Sequence, residues 1–233
     1  MTTTPRRPRV VCHMMASVDG RIVTDEWPLS DVELRQYDAV HESYGADAWI
    51  VGRVTMEQHF AAGTRSPSDI ARKYRGPARD DFVAPGSRES FAIAVDASGR
   101  LVWESGEIDG DHIVAILTEH VSDEYLASLR ERGVSYLLAG RDELDLALAL
   151  DKIGTRLGVR TLMLEGGGGI NGSMLRAGLV DELSLLVAPV ADGRVGMASM
   201  FDVDGDGFVP QRLELESMER LAGSMLWLRY RTT

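Results

Sequence analysis

Leu162-Met163-Leu164-Glu165-Gly166-Gly167-Gly168-Gly169-Ile170-Asn171-Gly172 is an apolar run that passes through one acid into four consecutive glycines and then into a helical pattern over residues 173–177. Glycine lets a backbone approach a ligand closely, and a helix starting just beyond offers unpaired N–H groups to an anion such as a pyrophosphate. Consecutive glycines also cost chain entropy that a plain strand-to-helix turn does not require. The stretch therefore reads as a phosphate cradle at the end of a buried strand.

The same grammar recurs on either side of it. Residues 9–16 form an apolar run ended by Ser17-Val18-Asp19-Gly20, a strand leaving into a loop. Ser30 reads as a helix N-cap, with Asp31 and Glu33 in the first turn and Val32, Leu34, Tyr37, Val40, His41 and Tyr44 near helical spacing up to Gly45. A second strand over 47–52 and a short helix after Arg53 follow, then a long loop over 61–90 rich in Gly, Pro, Ser and charge. Further strands are expected at 91–95, 112–117, 134–139 and 161–164, with helices at 122–132 and 144–157 between them. Repeated strand-helix-strand implies a mostly parallel sheet covered by helices on both faces. The end differs: 182–190, 212–221 and 224–231 read as strands, the last two as an antiparallel hairpin around Ala222-Gly223. No repeat or linker divides the chain, so a single domain over 1–233 is expected, with 1–8 as a tail.

Composition narrows the function. The chain has 233 residues, 44% of them hydrophobic, enough for a full core, and 36 acids against 25 Lys and Arg give a net charge of −11. That charge repels phosphate backbones and argues against nucleic acid. One cysteine, Cys12, cannot form an internal disulfide, and no signal-peptide stretch or apolar span of membrane length is visible. A cytoplasmic protein with no membrane partner is expected.

Which cradle the glycines form is decidable in part. Gly167, Gly169 and Gly172 formally satisfy G-x-G-x-x-G, but a regular Rossmann unit places an acid at the end of the next strand, whereas Asp181 and Glu182 precede that strand here. No Gly-Lys-Ser/Thr is present for a Walker loop. Ala48-Trp49-Ile50-Val51-Gly52-Arg53-Val54-Thr55 puts a glycine, a guanidinium and a hydroxyl at a strand end, a set suited to a phosphorylated ribose. Ala16-Ser17-Val18-Asp19-Gly20-Arg21-Ile22 puts a carboxylate and a hydroxyl on a tight turn, where Asp19 either orients a substrate or bonds its own backbone. Asp202-x-Asp204-x-Asp206-Gly207 imitates a calcium loop, but its twelfth position is Leu213, and a solvated acidic turn explains it better. The five histidines show no metal-ligand spacing, so no metal is expected.

Taken in order, residues 17–22, 47–55, Glu165-Gly166-Gly167-Gly168, 177–183 and Ala188-Pro189-Val190 resemble the RibD C-terminal reductase family over about residues 9–231. The resemblance implies a dihydrofolate-reductase-like three-layer α/β sandwich, with a mostly parallel central sheet and an antiparallel C-terminal hairpin, and a homodimer. It also implies NADPH-dependent reduction of the ribosylamino side chain of a phosphorylated pyrimidine. On it, Gly52, Arg53, Thr55, Asp96, Gly166, Gly167, Gly168, Gly169 and Ile170 contact the cofactor, Ser17 and His13 the substrate, and Asp19 and Glu165 are catalytic. Val95-Asp96-Ala97-Ser98-Gly99-Arg100 resembles the segment near the adenosine phosphate, and Arg53 and Arg100 lean toward a 2′-phosphate.

There are departures. Family enzymes acting on the riboflavin precursor commonly carry a Lys where this chain has His13, and an Asp-Asp-Pro-x-Leu-x-x-Arg loop where it has residues 57–65 without a match. Arg65, Arg72, Lys73 and Arg75 are the candidates to replace the lost phosphate clamp. The alternatives are a paralogue reducing another heterocycle, such as a pterin or folate-like compound, and a nucleotide-binding regulator without turnover.

Overall fold

The computed structural model describes residues 7–70, 74, 76, 79–86, 88–203, 205 and 208–233. Arg72, Lys73 and Arg75, and Asp204, Asp206 and Gly207 of the calcium-like motif, lie outside them. The elements run β1 (Arg9–Ala16), α1 (Asp31–Ser43), β2 (Ala48–Gly52), α2 (Arg53–His59), β3 (Gly63–Thr64), α3 (Pro67–Ile70), β4 (Phe91–Val95) and β5 (Leu101–Val102). They continue with β6 (Glu107–Ile108), β7 (Asp111–Leu117), α4 (Asp123–Glu131), β8 (Ser135–Leu138), α5 (Leu146–Leu157) and β9 (Thr161–Leu164). The chain closes with α6 (Gly168–Arg176), β10 (Glu182–Val187), β11 (Leu213–Arg220) and β12 (Leu226–Thr232). The described residues group into two compact units, one of Asp47–Arg160 with the residues up to Pro8, the other of Arg9–Ala46 with Thr161–Thr233.

In the first unit β4 lies between β2 and β7, parallel to both, and β8 adds in parallel to β7. These strands read as unbroken apolar runs because both faces are covered: Ala92, Ile93, Ala94, Val114, Ala115 and Ile116 are wholly buried. Their core continues through Met56, Leu101, Trp103, Tyr125, Leu129 and Tyr136. Ser122 and Asp145 cap α4 and α5 by accepting from the amides of Tyr125 and Leu148, and Gly158 ends α5 in the left-handed region at φ 77°. The loop expected to be structureless carries the short α3 and β3. β3 pairs with β5 about 40 positions on (Gly63↔Val102), a non-local contact that periodicity cannot register.

In the second unit β1 is flanked in parallel by β9 and β10, and β12 and β11 follow antiparallel, so the expected C-terminal hairpin is present. α1 begins where the sequence indicates, with a reciprocal capping box between Ser30 and Glu33. Its inner face joins Met15, Trp27, Val40, Leu186, Ala188 and Met225 in one cluster. β10 stops at Val187, before Pro189, which has no N–H for a ladder. A bulge between Leu215 and Ser217 shifts β11 by one residue. Leu215 and Met218 consequently face the same side, opposite Tyr230 and Leu228. The fold class is the one the sequence implies: strands mostly parallel, helices between them, and an antiparallel pair at the end. Among the described residues no helix is long and apolar enough to cross a membrane.

Candidate active site

Within the second unit a cleft of about 280 Å³ is lined by Met14, Met15, Ile22, Thr24, Leu34, Tyr37, Asp38 and Glu165. β1 supplies the methionines, and α1 supplies Leu34, Tyr37 and Asp38. Glu165 follows the last residue of β9, where strands of a parallel sheet present their ends to ligands. Its Oε1 lies 2.6 Å from Nδ1 of His41, one turn beyond Tyr37 on α1. Burial, and then the negative charge of Glu165, hold the Tyr37 hydroxyl well above its ordinary pKa, so it stays protonated, donating to the His13 carbonyl at 3.3 Å.

The glycine turn begins at the next residue. Gly166 adopts φ 116°, a conformation costly for any side chain. Gly167 is the N-cap of α6, so the helix starts inside the glycine run and not at residue 173 as the pattern suggested. The leading amides of a helix lack intrahelical partners, and Gly168, Gly169 and Ile170 stand at those positions. The glycines are small for two different reasons. Gly169 is exposed, with no atom within 4 Å of where its Cβ would be. Gly168 and Gly172 are instead pressed against the chain itself: a Cβ on the first would come closer than 3 Å to Asp202 Oδ2 and the Ser199 carbonyl, and on the second to the Asp202 carbonyl. The Cβ side of Gly168 is therefore filled by the chain itself, whereas that of Gly169 is open.

The acidic turn after β1 is tied to a distant segment. Asp19 accepts the Ser17 hydroxyl at 2.7 Å and the main-chain amides of Asp192 and Gly193 at 2.9 Å each. The Gly193 amide first, then the Ser17 hydroxyl, bring its carboxyl down to about 2. Asp192 in turn accepts the Trp27 indole N–H at 2.8 Å and pairs with Arg194 at 2.7 Å. From there residues 194–203 run past Arg21, which donates to the Met197 carbonyl at 2.9 Å, to α6, where the Asp202 amide donates to the Gly168 carbonyl at 3.0 Å. One strap thus joins the Asp19 turn to the glycine helix. Asp202, read as part of a solvated acidic turn, is exposed but engaged, accepting the Ser199 hydroxyl at 2.5 Å.

His13 is placed in the interior, not on the cleft surface. Its imidazole is fully buried, with Nδ1 at 3.0 Å from the Ser184 hydroxyl, Nε2 at 3.3 Å from the Tyr37 carbonyl and its ring stacked on Tyr37 at 4.3 Å. Burial lowers its pKa, which favours the neutral ring. Ser17 is likewise buried between Asp19 and the Arg21 amide. Neither is among the cleft-lining residues. In the first unit, Gly52 caps α2 and Arg53 opens it, paired with Glu57 one turn on. Asp96 is buried after β4, where it accepts the Leu101 amide at 2.8 Å and folds the 96–101 turn. Burial raises its pKa. In the sequence Tyr37 and His41 stand out only as members of an apolar stripe. The available signal was a histidine four residues after a tyrosine on that face.

The model of the RibD C-terminal domain matches residues 8–226. The 2,5-diamino-6-ribosylamino-4(3H)-pyrimidinone 5′-phosphate reductase of Methanothermobacter thermautotrophicus is 29% identical over 226 residues, covering 94% of this chain and 96% of its own. That of Aquifex aeolicus is 28% identical over 210 residues, covering 87% and 85%. Among solved structures, a pyrimidine reductase-like protein of Corynebacterium diphtheriae superposes with TM-score 0.70 at 20% identity, over 100% of this chain and 95% of that one. The riboflavin biosynthesis reductase of Saccharomyces cerevisiae does so with TM-score 0.61 at 14% identity, over 100% and 93%. With a family match spanning nearly its whole length, the chain belongs to the RibD C-terminal domain family.

Proposed function

We propose that this protein reduces the ribosylamino side chain of a phosphorylated pyrimidine to a ribitylamino one, with NADPH as the hydride donor. The observation that carries the reading is the adjacency of Glu165 and the glycine turn. One strand end supplies a carboxylate to the cleft and, in the next residues, main-chain amides suited to a diphosphate. The names and coverage of the archaeal and bacterial relatives support it. The open side of Gly169 leaves room for a diphosphate against the helix start.

When bound, the nicotinamide supplies hydride, the difficult part of the chemistry. A ribosylamine in its open-chain imine form takes that hydride at C1′ and a proton at nitrogen, giving a secondary amine. Glu165 would accept a hydrogen bond from a substrate hydroxyl or N–H, and the oxygen of the Tyr37 hydroxyl, whose proton goes to the His13 carbonyl at 3.3 Å, would accept another. Met14, Met15 and Ile22 would cover the apolar face of the pyrimidine. Such positioning is worth several kcal/mol of barrier, on the order of 7–11 in the best-aligned reactions. Asp19 and Ser17 would act through the turn that they hold. Gly52, Arg53, Thr55 and Asp96 keep the cofactor role that the family resemblance gives them, with a cofactor phosphate competing for Arg53 against Glu57. A homodimer is proposed as well, on the exposed apolar Leu215 and Met218 of β11.

The test is NADPH oxidation with 2,5-diamino and 5-amino ribosylamino-pyrimidine phosphates beside a panel of pterins, repeated with NADH. Turnover of a ribosylamino-pyrimidine is expected, and Gly167→Asp should lose NADPH binding. An unchanged affinity in that variant rejects the cradle. A second reading, reduction of another heterocycle, is favoured by the unmatched residues 57–65. Turnover confined to pterins would establish it.

A further inference from the structure

The cleft carboxylate is not left to choose its own rotamer. Glu165 projects from a strand end into a glycine turn, where the four residues that follow it offer no side chain to brace it. The brace comes from α1. Nδ1 of His41 stands 2.6 Å from Glu165 Oε1, with the carboxylate side chain 13% exposed and the imidazole 30%. The histidine is itself held in an aromatic stack. Its ring meets His13 edge-on at 6.5 Å, His13 lies flat on Tyr37 at 4.3 Å, and the buried His13 is tied to Ser184 of β10. Among the described residues, the ionisable groups around the pair are Cys12 and His13 on β1, Tyr37 and Asp38 on α1, and Tyr44 at its C-terminal end.

We infer that His41 is the positioning residue of the active site, its Nδ1–H fixing Oε1 of Glu165 so that the rest of the carboxylate's acceptor capacity faces the substrate. The chemistry requires a donor at that one nitrogen. A carboxylate has about four lone-pair sites, and the His41 bond uses one of them. A carboxylate free to rotate presents the same charge in the wrong direction, and misplacement by about 1 Å costs on the order of a hundredfold in rate. This inference rests on the proposed reductase reading for its kinetic test, but not for its structural one.

Four variants decide it: His41→Leu, His41→Asn, Glu165→Gln and the double variant His41→Leu/Glu165→Gln. Asparagine puts an N–H near the place of Nδ1 and leucine does not. With the ribosylamino-pyrimidine phosphate as substrate, kcat of His41→Leu should fall about 10- to 100-fold with NADPH affinity unchanged. His41→Asn should recover to within about threefold of wild type, and the double variant should be no slower than Glu165→Gln alone, because His41 acts only through Glu165. Wild-type kcat in His41→Leu, no recovery in His41→Asn, or additive losses in the double variant would overturn the proposal. If the wild-type protein turns over no pyrimidine, the reductase reading fails. The inference is then judged by long-range ¹H–¹⁵N spectra: His41 should carry its proton on Nδ1 in the wild type and lose that preference in a Glu165→Leu variant, and a tautomer indifferent to residue 165 would sink it.

Discussion

The carboxylate of Asp202 fills the space into which Gly168 would project a side chain, and the carbonyl of Ser199 closes it from the other side. Two of the glycines in the motif are thus required by packing of the strap over 194–203, whereas Gly169 between them meets open space. Gly168→Ala should destabilise the protein by about 1–3 kcal/mol, since a backbone carbonyl cannot move aside like a flexible side chain. Gly169→Ala should fold as well as wild type, or gain up to about 1 kcal/mol from helix propensity. Thermal melts of both variants check this, and equal melting temperatures would refute the packing argument.

Asp19 provides a pH test of the same strap. Its carboxyl is drawn down to about 2 by the Gly193 amide and the Ser17 hydroxyl. The folded state therefore binds the proton less readily than the unfolded chain. The stabilisation is fully present above the ordinary carboxyl range and is lost as pH falls toward 2. Asp19→Asn should flatten the loss of melting temperature between about pH 4 and 2 relative to wild type.

His112 gives a second acid-sensitive point, in the first unit. Its imidazole is buried with Nε2 at 2.7 Å from the Ser135 hydroxyl, while Nδ1 has no partner among the described residues, and burial pushes its pKa down to about 4. A histidine that resists protonation when folded makes stability rise with pH between about 4 and 6.5, because the unfolded state binds more protons there. His112→Phe should show a shallower slope of melting temperature in that window. An unchanged slope would mean that other groups set it.

At the start of β10, the buried Glu182 accepts from Arg9, from Arg229 at 3.0 Å and from the Tyr44 hydroxyl at 2.5 Å. Glu182→Leu should cost about 1–3 kcal/mol in chemical denaturation, less than a fully buried pair because both arginines remain partly in water. Arg229→Met alone should cost less, since Arg9 still pairs with the carboxylate.

Much of this was legible in the chain itself. β1, β4 and β9 lie where apolar runs end at turns, and Ser30, Asp31 and Glu33 mark the start of α1 to the residue. α6 was misplaced by five residues because glycines argue against a helix by propensity, while the strap that makes Gly168 and Gly172 helical contacts lies about 30 residues on. The bulge after Leu215 was invisible for the same reason: it is a property of pairing, not of composition.

The sequence by itself determined the α/β class, the order of elements and the placing of Glu165 ahead of a glycine turn, because each follows from hydrophobic period and local backbone freedom. Only the tertiary structure decided that His41 grips Glu165 from 124 positions away, that Asp19 is spent on amides 173 and 174 positions distant, and that His13 faces the interior. Hydrogen bonds act over about 3 Å of space whatever the separation along the chain, so their partners become readable only once the strands have brought them together.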